Sequence, residues 1–166
     1  MPVSNTSPLL YLAKLGKLDL LRKLFNKIFI PTAVYEEAVL KGKEKSFIDA
    51  RVIEQAINEK WIEVKKVNLN NKERYSEIDI GESEAIELAK TLNSNLLLID
   101  DAPARVIAES FGLNVKGTLF VLMKAYSNKL INENEIRNLL SRLISSGFRI
   151  SPELYGKILE EIDKVN

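Results

Sequence analysis

The 166-residue sequence contains neither cysteine nor histidine, and those two absences remove most side-chain catalysis. Without Cys there is no disulfide, thiol nucleophile, thiolate zinc site or iron–sulfur ligation. Without His there is no Ser-His-Asp or Cys-His arrangement, no imidazole general base and no HExxH zinc site. Carboxylate, amide, hydroxyl, Lys, Arg and Tyr remain for polar chemistry. A metal, if one is used, has to be a hard ion held by oxygen, such as Mg²⁺ or Mn²⁺.

Long apolar runs are missing as well. The longest stretch free of charge is Met1 to Ala13, interrupted by Pro2 and Pro8, whereas a spanning helix needs about 20 apolar residues. No basic start precedes an apolar run, as a signal peptide would require. The chain therefore reads as soluble and cytoplasmic, with no membrane partner. A net charge of +1 exerts no global pull on nucleic acid. The charge is uneven, however: residues 1–45 hold eight Lys/Arg against four Asp/Glu, and residues 46–166 hold 16 against 19. The skew is a weak pointer to an anionic partner, and ordinary surface scatter explains it equally well.

With 46% hydrophobic and 28% charged residues, the composition suits one domain with a substantial core. There is no repeat, low-complexity tract or Pro/Gly/Ser linker. Helix starts are legible. Ser7-Pro8 pairs a capping hydroxyl with Pro at the first helical position, and Gly16 can end that helix. Leu18 to Phe25 is a second helix, Lys27 to Ile30 a short strand stopped by Pro31, and Thr32 to Leu40 helical again. Ser46 with Asp49 has capping-box spacing for a helix to about Glu59. Trp61 to Val67 is a strand, followed by a polar loop from Asn68 to Asp79. Asp79 with Glu82 repeats the capping-box spacing and opens a helix to Leu92.

The continuous apolar run Leu96-Leu97-Leu98-Ile99 predicts a central strand buried on both faces. A helix from about Asp101 to Gly112, a strand near Val115 and a helix from Thr118 to Tyr126 follow. Asn132 with Glu135 caps a further helix ending at Gly147, and Ser151-Pro152 starts the last. The apolar stripe Leu139, Leu140, Leu143 and Ile144 reads more as core than as interface. Short strands alternating with helices predict an α/β domain with a mostly parallel sheet. In such sheets ligands bind beyond the carboxyl ends of the strands, where the strand order reverses.

Candidate residues follow from that rule. Asn5-Thr6-Ser7 comes after the strand at Val3, and Asp100-Asp101 after the Leu-rich strand; the two ends converge if the first and fourth strands are neighbours. Glu82 is in line with the buried stripe of its helix, four residues before Ile86 and seven before Ala89; a capping box with Asp79 is the plain structural alternative. Glu37 is flanked by Val34 and Leu40, while Glu36 turns to solvent; a helix acid reaching to water is its plainer reading. Asp101, two residues before Pro103, suits a helix cap, which leaves Asp100 as the better ligand. Arg105, one turn into that helix, can meet a phosphate, though an ion pair is the simpler role. Ser7 is a cap before it is a substrate contact. Clustered carboxylates repel unless a cation lies between them. A divalent ion answers that repulsion, lowers the pKa of bound water and neutralises charge on a phosphodiester.

These residues resemble PIN-domain proteins. The resemblance is carried by Val3-Ser4-Asn5-Thr6-Ser7-Pro8-Leu9 with Leu12-Ala13-Lys14, and by Val34 with Glu37. Gly81-Glu82-Ser83-Glu84-Ala85-Ile86 with Ala89, and Leu98-Ile99-Asp100-Asp101 with Arg105 and Ala108, continue it. Gly112-Leu113-Asn114-Val115-Lys116-Gly117-Thr118 matches a prokaryotic branch related to VapC-like toxin ribonucleases. The resemblance spans nearly the whole chain and is weakest between Lys41 and Asp79.

The resemblance implies a three-layer α/β/α sandwich around a central, mostly parallel sheet. It covers one domain over residues 1–166, with helices from about 118 packed on it. The implied activity is metal-dependent cleavage of single-stranded RNA, with Mg²⁺ or Mn²⁺ held by Glu37, Glu82 and Asp100, and Asp101 as a neighbouring candidate. Asn5, Glu37, Glu82 and Asp100 would be catalytic, and Ser7 and Arg105 would meet substrate. A homodimer, an antitoxin partner and a role as the toxin of a toxin–antitoxin pair are implied with it. One departure matters: the family pattern has Asp where this chain has Asn5. An amide oxygen still ligates, but one negative charge is lost, so weaker metal binding is expected. A catalytically weak or inactive relative that binds RNA or protein is the alternative. A phosphatase or receiver-type α/β protein ranks last, because the first strand lacks its acidic group.

Overall fold

The computed structural model describes residues 1–164, which fall in two compact units, Met1–Val121 and the described residues from Leu122 on. The first unit holds a five-stranded sheet of β1 (Val3–Ser4), β2 (Ile28–Pro31), β3 (Ile62–Lys65), β4 (Leu97–Leu98) and β5 (Val115–Lys116) in the order β3-β2-β1-β4-β5. Every pairing is parallel. From β1 the chain winds outward through β2 and β3 on one side, then through β4 and β5 on the other. The strand order therefore reverses between β1 and β4, the neighbours the sequence requires for its two strand ends to converge.

The helices between strands are α1 (Thr6–Lys14), α2 (Asp19–Phe25), α3 (Thr32–Tyr35), α4 (Lys41–Glu44), α5 (Ile48–Asn58), α6 (Ile80–Thr91) and α7 (Ala102–Ser110). Val3, Phe29, Leu97 and Val115 share one register row across four strands. They pack in a single core with Ala85, Ile86, Leu88 and Ala89 of α6 and Ala104 and Ala108 of α7. Small residues on the two helices let them approach the sheet closely. The result is an α/β sandwich with a parallel central sheet, as expected.

Three local expectations are corrected. Ser7-Pro8 does not open α1: the helix starts at Thr6, and Asn5 occupies the N-cap. Ser46 does not cap α5. Its backbone turns left-handed at φ 58, closing the previous helix through Ser46 N–H to Lys43 O at 3.0 Å and Phe47 N–H to Gly42 O at 2.9 Å. Thr32 to Leu40 is not one α-helix either; after α3 the chain widens into a π turn over Glu36–Leu40 and continues as α4.

The polar loop before α6 contains a 3₁₀ turn, Lys72–Tyr75. Tyr75 anchors it, buried against Phe111 and donating its hydroxyl to Glu87. The remaining helices are α8 (Thr118–Ser127), which begins in the first unit, then α9 (Glu133–Ser145) and α10 (Pro152–Lys164). Leu139, Leu140 and Leu143 of α9 are buried as core, whereas Ile144 is partly exposed. Among the described residues no helix is long and apolar enough to cross a membrane.

Candidate functional site

The end of β1 and the end of β4 lie side by side, because Asn5 N–H donates to Leu98 O at 2.9 Å. That pairing sets Asn5 beside the segment that turns out as Asp100-Asp101. Asn5 is only 4% exposed, and its Oδ1 has no hydrogen-bond partner. A buried acceptor without a donor is rare and unfavourable.

Asp100 is held from the next strand over. Its Oδ1 accepts from Thr118 N–H at 2.7 Å and its Oδ2 from the Thr118 hydroxyl at 2.7 Å. The N-terminus of α8 adds its partial positive charge at that point. Gly117 is required by space: a Cβ there would come 2.5 Å from Asp100 Oδ1 and 3.3 Å from Arg105 Nη1. Burial pushes the Asp100 carboxyl up, and the two Thr118 bonds with the Arg105 charge pull it back. Arg105 is thus beside Asp100.

Glu37 reaches the site from the π turn, a helix irregularity often found where a side chain must be re-aimed. Thr6, next to Asn5, donates its hydroxyl to Glu37 Oε2 at 2.8 Å. Gly81 opens room for the same carboxylate, since a Cβ would come 2.7 Å from Glu37 Oε1. Burial raises the Glu37 carboxyl and Asp79 adds to the rise, while Thr6, Lys41 and the Gly81 N–H oppose it. The π turn is anchored from below: Ala33 N–H in α3 donates to Glu84 Oε2 at 2.8 Å.

Glu82 completes the group. The capping box forms in full, with Glu82 N–H donating to Asp79 Oδ1 at 2.8 Å and Asp79 N–H to Glu82 Oε2 at 3.1 Å. The box and the inward-facing acid are therefore the same residue. Glu82 is 8% exposed. Its carboxyl is pushed up to about 7, first by burial and then by the like charges of Asp79, Asp101 and Glu37, against the Asp79 N–H. Asp101 caps α7 by accepting from Ala104 N–H at 3.1 Å, so it contributes charge at a distance. Ser7 lies half-buried in the first turn of α1.

Asn5, Glu37, Glu82 and Asp100 thus come from four segments: Asn5 and Asp100 follow adjacent strand ends, Glu37 is tied to Thr6 beside Asn5, and Glu82 feels the charges of Glu37 and Asp101. Among the described residues no group of three acidic side chains is placed to hold a metal ion by itself. The donor set nevertheless fits a hard divalent ion in kind. It is all oxygen, it carries like charges that no buried cation balances at Glu82, and it includes the unpaired oxygen of Asn5.

Thr118, Gly117, Gly81 and Thr6 were given no role from the sequence. The strand-end rule, applied to the strand at Val115 as it was to the other two, leads directly to Gly117-Thr118. A family model described as a PIN domain matches residues 1–164. No curated protein matches the chain.

Proposed function

Because the chain belongs to the PIN-domain family, a nuclease-like fold, we propose that it is a metal-dependent ribonuclease acting on single-stranded RNA. The observation that carries this reading is the buried, unpaired amide oxygen of Asn5 at the carboxyl end of β1, next to the end of β4 that leads into Asp100. Glu37, Glu82 and Asp100, with the amide oxygen of Asn5, would hold Mg²⁺ or Mn²⁺. When bound, such an ion supplies charge neutralisation for a phosphodiester under attack by water.

The chain's own residues set the stage for that chemistry. Thr118 holds Asp100 in place through its amide and hydroxyl, and Gly117 leaves the room that carboxylate needs. Thr6 and Gly81 do the same for Glu37. Arg105 provides a cation beside Asp100 that suits a phosphate oxygen, and the Lys-rich 1–45 region suits the RNA backbone. The test is hydrolysis of single-stranded RNA in Mn²⁺. Activity is expected from the native chain and none from the Asp100→Ala, Glu82→Ala double variant; survival in that variant overturns the assignment.

Two observations favour a second reading, a catalytically weak relative that binds RNA or protein. Asn5 replaces a carboxylate, and protein donors already engage both oxygens of Asp100 and one of Glu37. A thermal shift with Mn²⁺ in Asn5→Asp but not in the native chain supports it; binding and turnover with Asn5 in place rejects it. A toxin role with an antitoxin partner and a homodimer is the finer form of the first reading. Growth arrest on expression, a small DNA-binding protein in the adjacent reading frame and a dimer mass by light scattering are its expected signs.

A further inference from the structure

Four α-helices among the described residues are capped by a side-chain oxygen in one consistent way. Asp79 accepts from Glu82 N–H at 2.8 Å, Asp101 from Ala104 N–H at 3.1 Å and Asn132 from Glu135 N–H at 2.9 Å. Ser151 likewise accepts from Leu154 N–H at 3.1 Å. Each bond runs from the side-chain oxygen to the amide three residues on, the usual satisfaction of a free helix donor.

Asn5 differs from these four. It occupies the N-cap of α1 with the extended backbone of a good cap, φ −80 and ψ 176, yet makes no side-chain cap bond. An N-cap oxygen can accept from the amide two or three positions on; Ser7 N–H makes no such bond to Asn5, and the residue three positions on is Pro8, which has no N–H to donate. Its ring is tolerated in the first turn, so the helix forms while the donor is missing. Oδ1 of Asn5 is left buried and unpaired at the carboxyl end of β1, beside the strand end that leads into Asp100.

We infer that Pro8 is a positioning residue: by denying Asn5 the helix-cap bond it keeps that amide oxygen available to a cation in the site. This rests on the metal-dependent reading above. It matters because the acidic side chains do not by themselves form a three-ligand set, so an oxygen from outside the carboxylates is needed. Asn and Asp are strong cap residues, and an amide at the N3 position would compete for the oxygen.

The experiment has a metal-free arm and a metal arm, both on the full chain. In EDTA, a double-mutant cycle of Asn5→Ala and Pro8→Ala is followed by chemical denaturation. With Pro8 in place, Asn5→Ala does not destabilise. In the Pro8→Ala background, Asn5→Ala moves the folding equilibrium about fivefold towards the unfolded state, because a cap has formed there to lose. Equal effects in both backgrounds overturn the inference.

In the metal arm, Mn²⁺ affinity is read from the spectroscopic signal of the free ion. Pro8→Ala weakens binding about tenfold, and adds nothing once Asn5→Ala is present. An unchanged affinity in Pro8→Ala, or a full additional loss in the Asn5→Ala background, overturns the link between Pro8 and the site. No Mn²⁺ binding by the native chain overturns the metal-dependent reading instead, while the metal-free arm still judges whether Pro8 withholds the cap.

Discussion

A carboxylate buried beside other carboxylates favours its protonated form, and Glu82 is the residue in which that tension is greatest. Its folded value of about 7 lies above the ordinary 4.5, so the native state binds the proton more tightly than the unfolded chain does. Stability from this group is therefore present at low pH and declines as pH rises from about 4.5 to 7. In EDTA, Glu82→Gln is expected to raise the melting temperature at pH 8 and to flatten that decline, since the amide oxygen still accepts from Asp79 N–H. The same variant should lose the stabilisation that Mn²⁺ gives the native chain.

Thr118 shows the opposite case, a donor pair matched to a carboxylate. Thr118→Val keeps the shape and the backbone bond but removes the hydroxyl bond to Asp100. A loss of about 1.5–3 kcal/mol is expected from denaturant unfolding, largely restored in Thr118→Ser. A loss in Thr118→Ser as large as that in Thr118→Val would show that the methyl packing, not the hydroxyl, matters there.

At the scale of elements, α3 and the π turn depend on a cap supplied from elsewhere. Pro31 is the N-cap of α3 and has no side-chain oxygen, so the acceptor for Ala33 N–H comes from Glu84 in α6. Glu84→Ala is expected to cost about 1 kcal/mol and to speed amide exchange over residues 33–40, because the anchor of the segment carrying Glu37 is gone. No change in exchange there would reject the role. The sequence makes Glu84 look like a bystander on the side of its helix; nothing local reveals that its partner is 51 positions away. Ser46 failed as a cap for a related reason. Its spacing to Asp49 fits the pattern, but the preceding helix continues to Glu44 and needs a left-handed residue to turn back.

At the scale of the whole molecule, the register row Val3, Phe29, Leu97 and Val115 joins the strands to α6 and α7 in one core. Leu97 is at the centre of that row and fully enclosed. Leu97→Ala should cost about 2–5 kcal/mol, read from the midpoint of urea unfolding with an unchanged slope. A loss under about 1 kcal/mol would mean that the row collapses around the cavity. Because the carboxyl ends of β1 and β4 carry the site, the same variant is expected to weaken Mn²⁺ binding without touching any site residue.

Composition and local pattern alone determined the class of chemistry open to this chain, the alternation of strands and helices, and the inward line of Glu82. Each of these depends on residue type or on a fixed spacing along the backbone, so no folding is needed to read it. Only the tertiary structure decided which carboxylates are held by protein donors, and that Gly81 and Gly117 make room for Glu37 and Asp100. Those are meetings between distant segments, and their distances are set by strand order and helix packing. Asn5 belongs to both scales. Its place after the first strand is legible in the sequence; that it, and not Ser7, is the N-cap of α1, and that its oxygen is buried and unpaired beside β4, holds only once the sheet has formed.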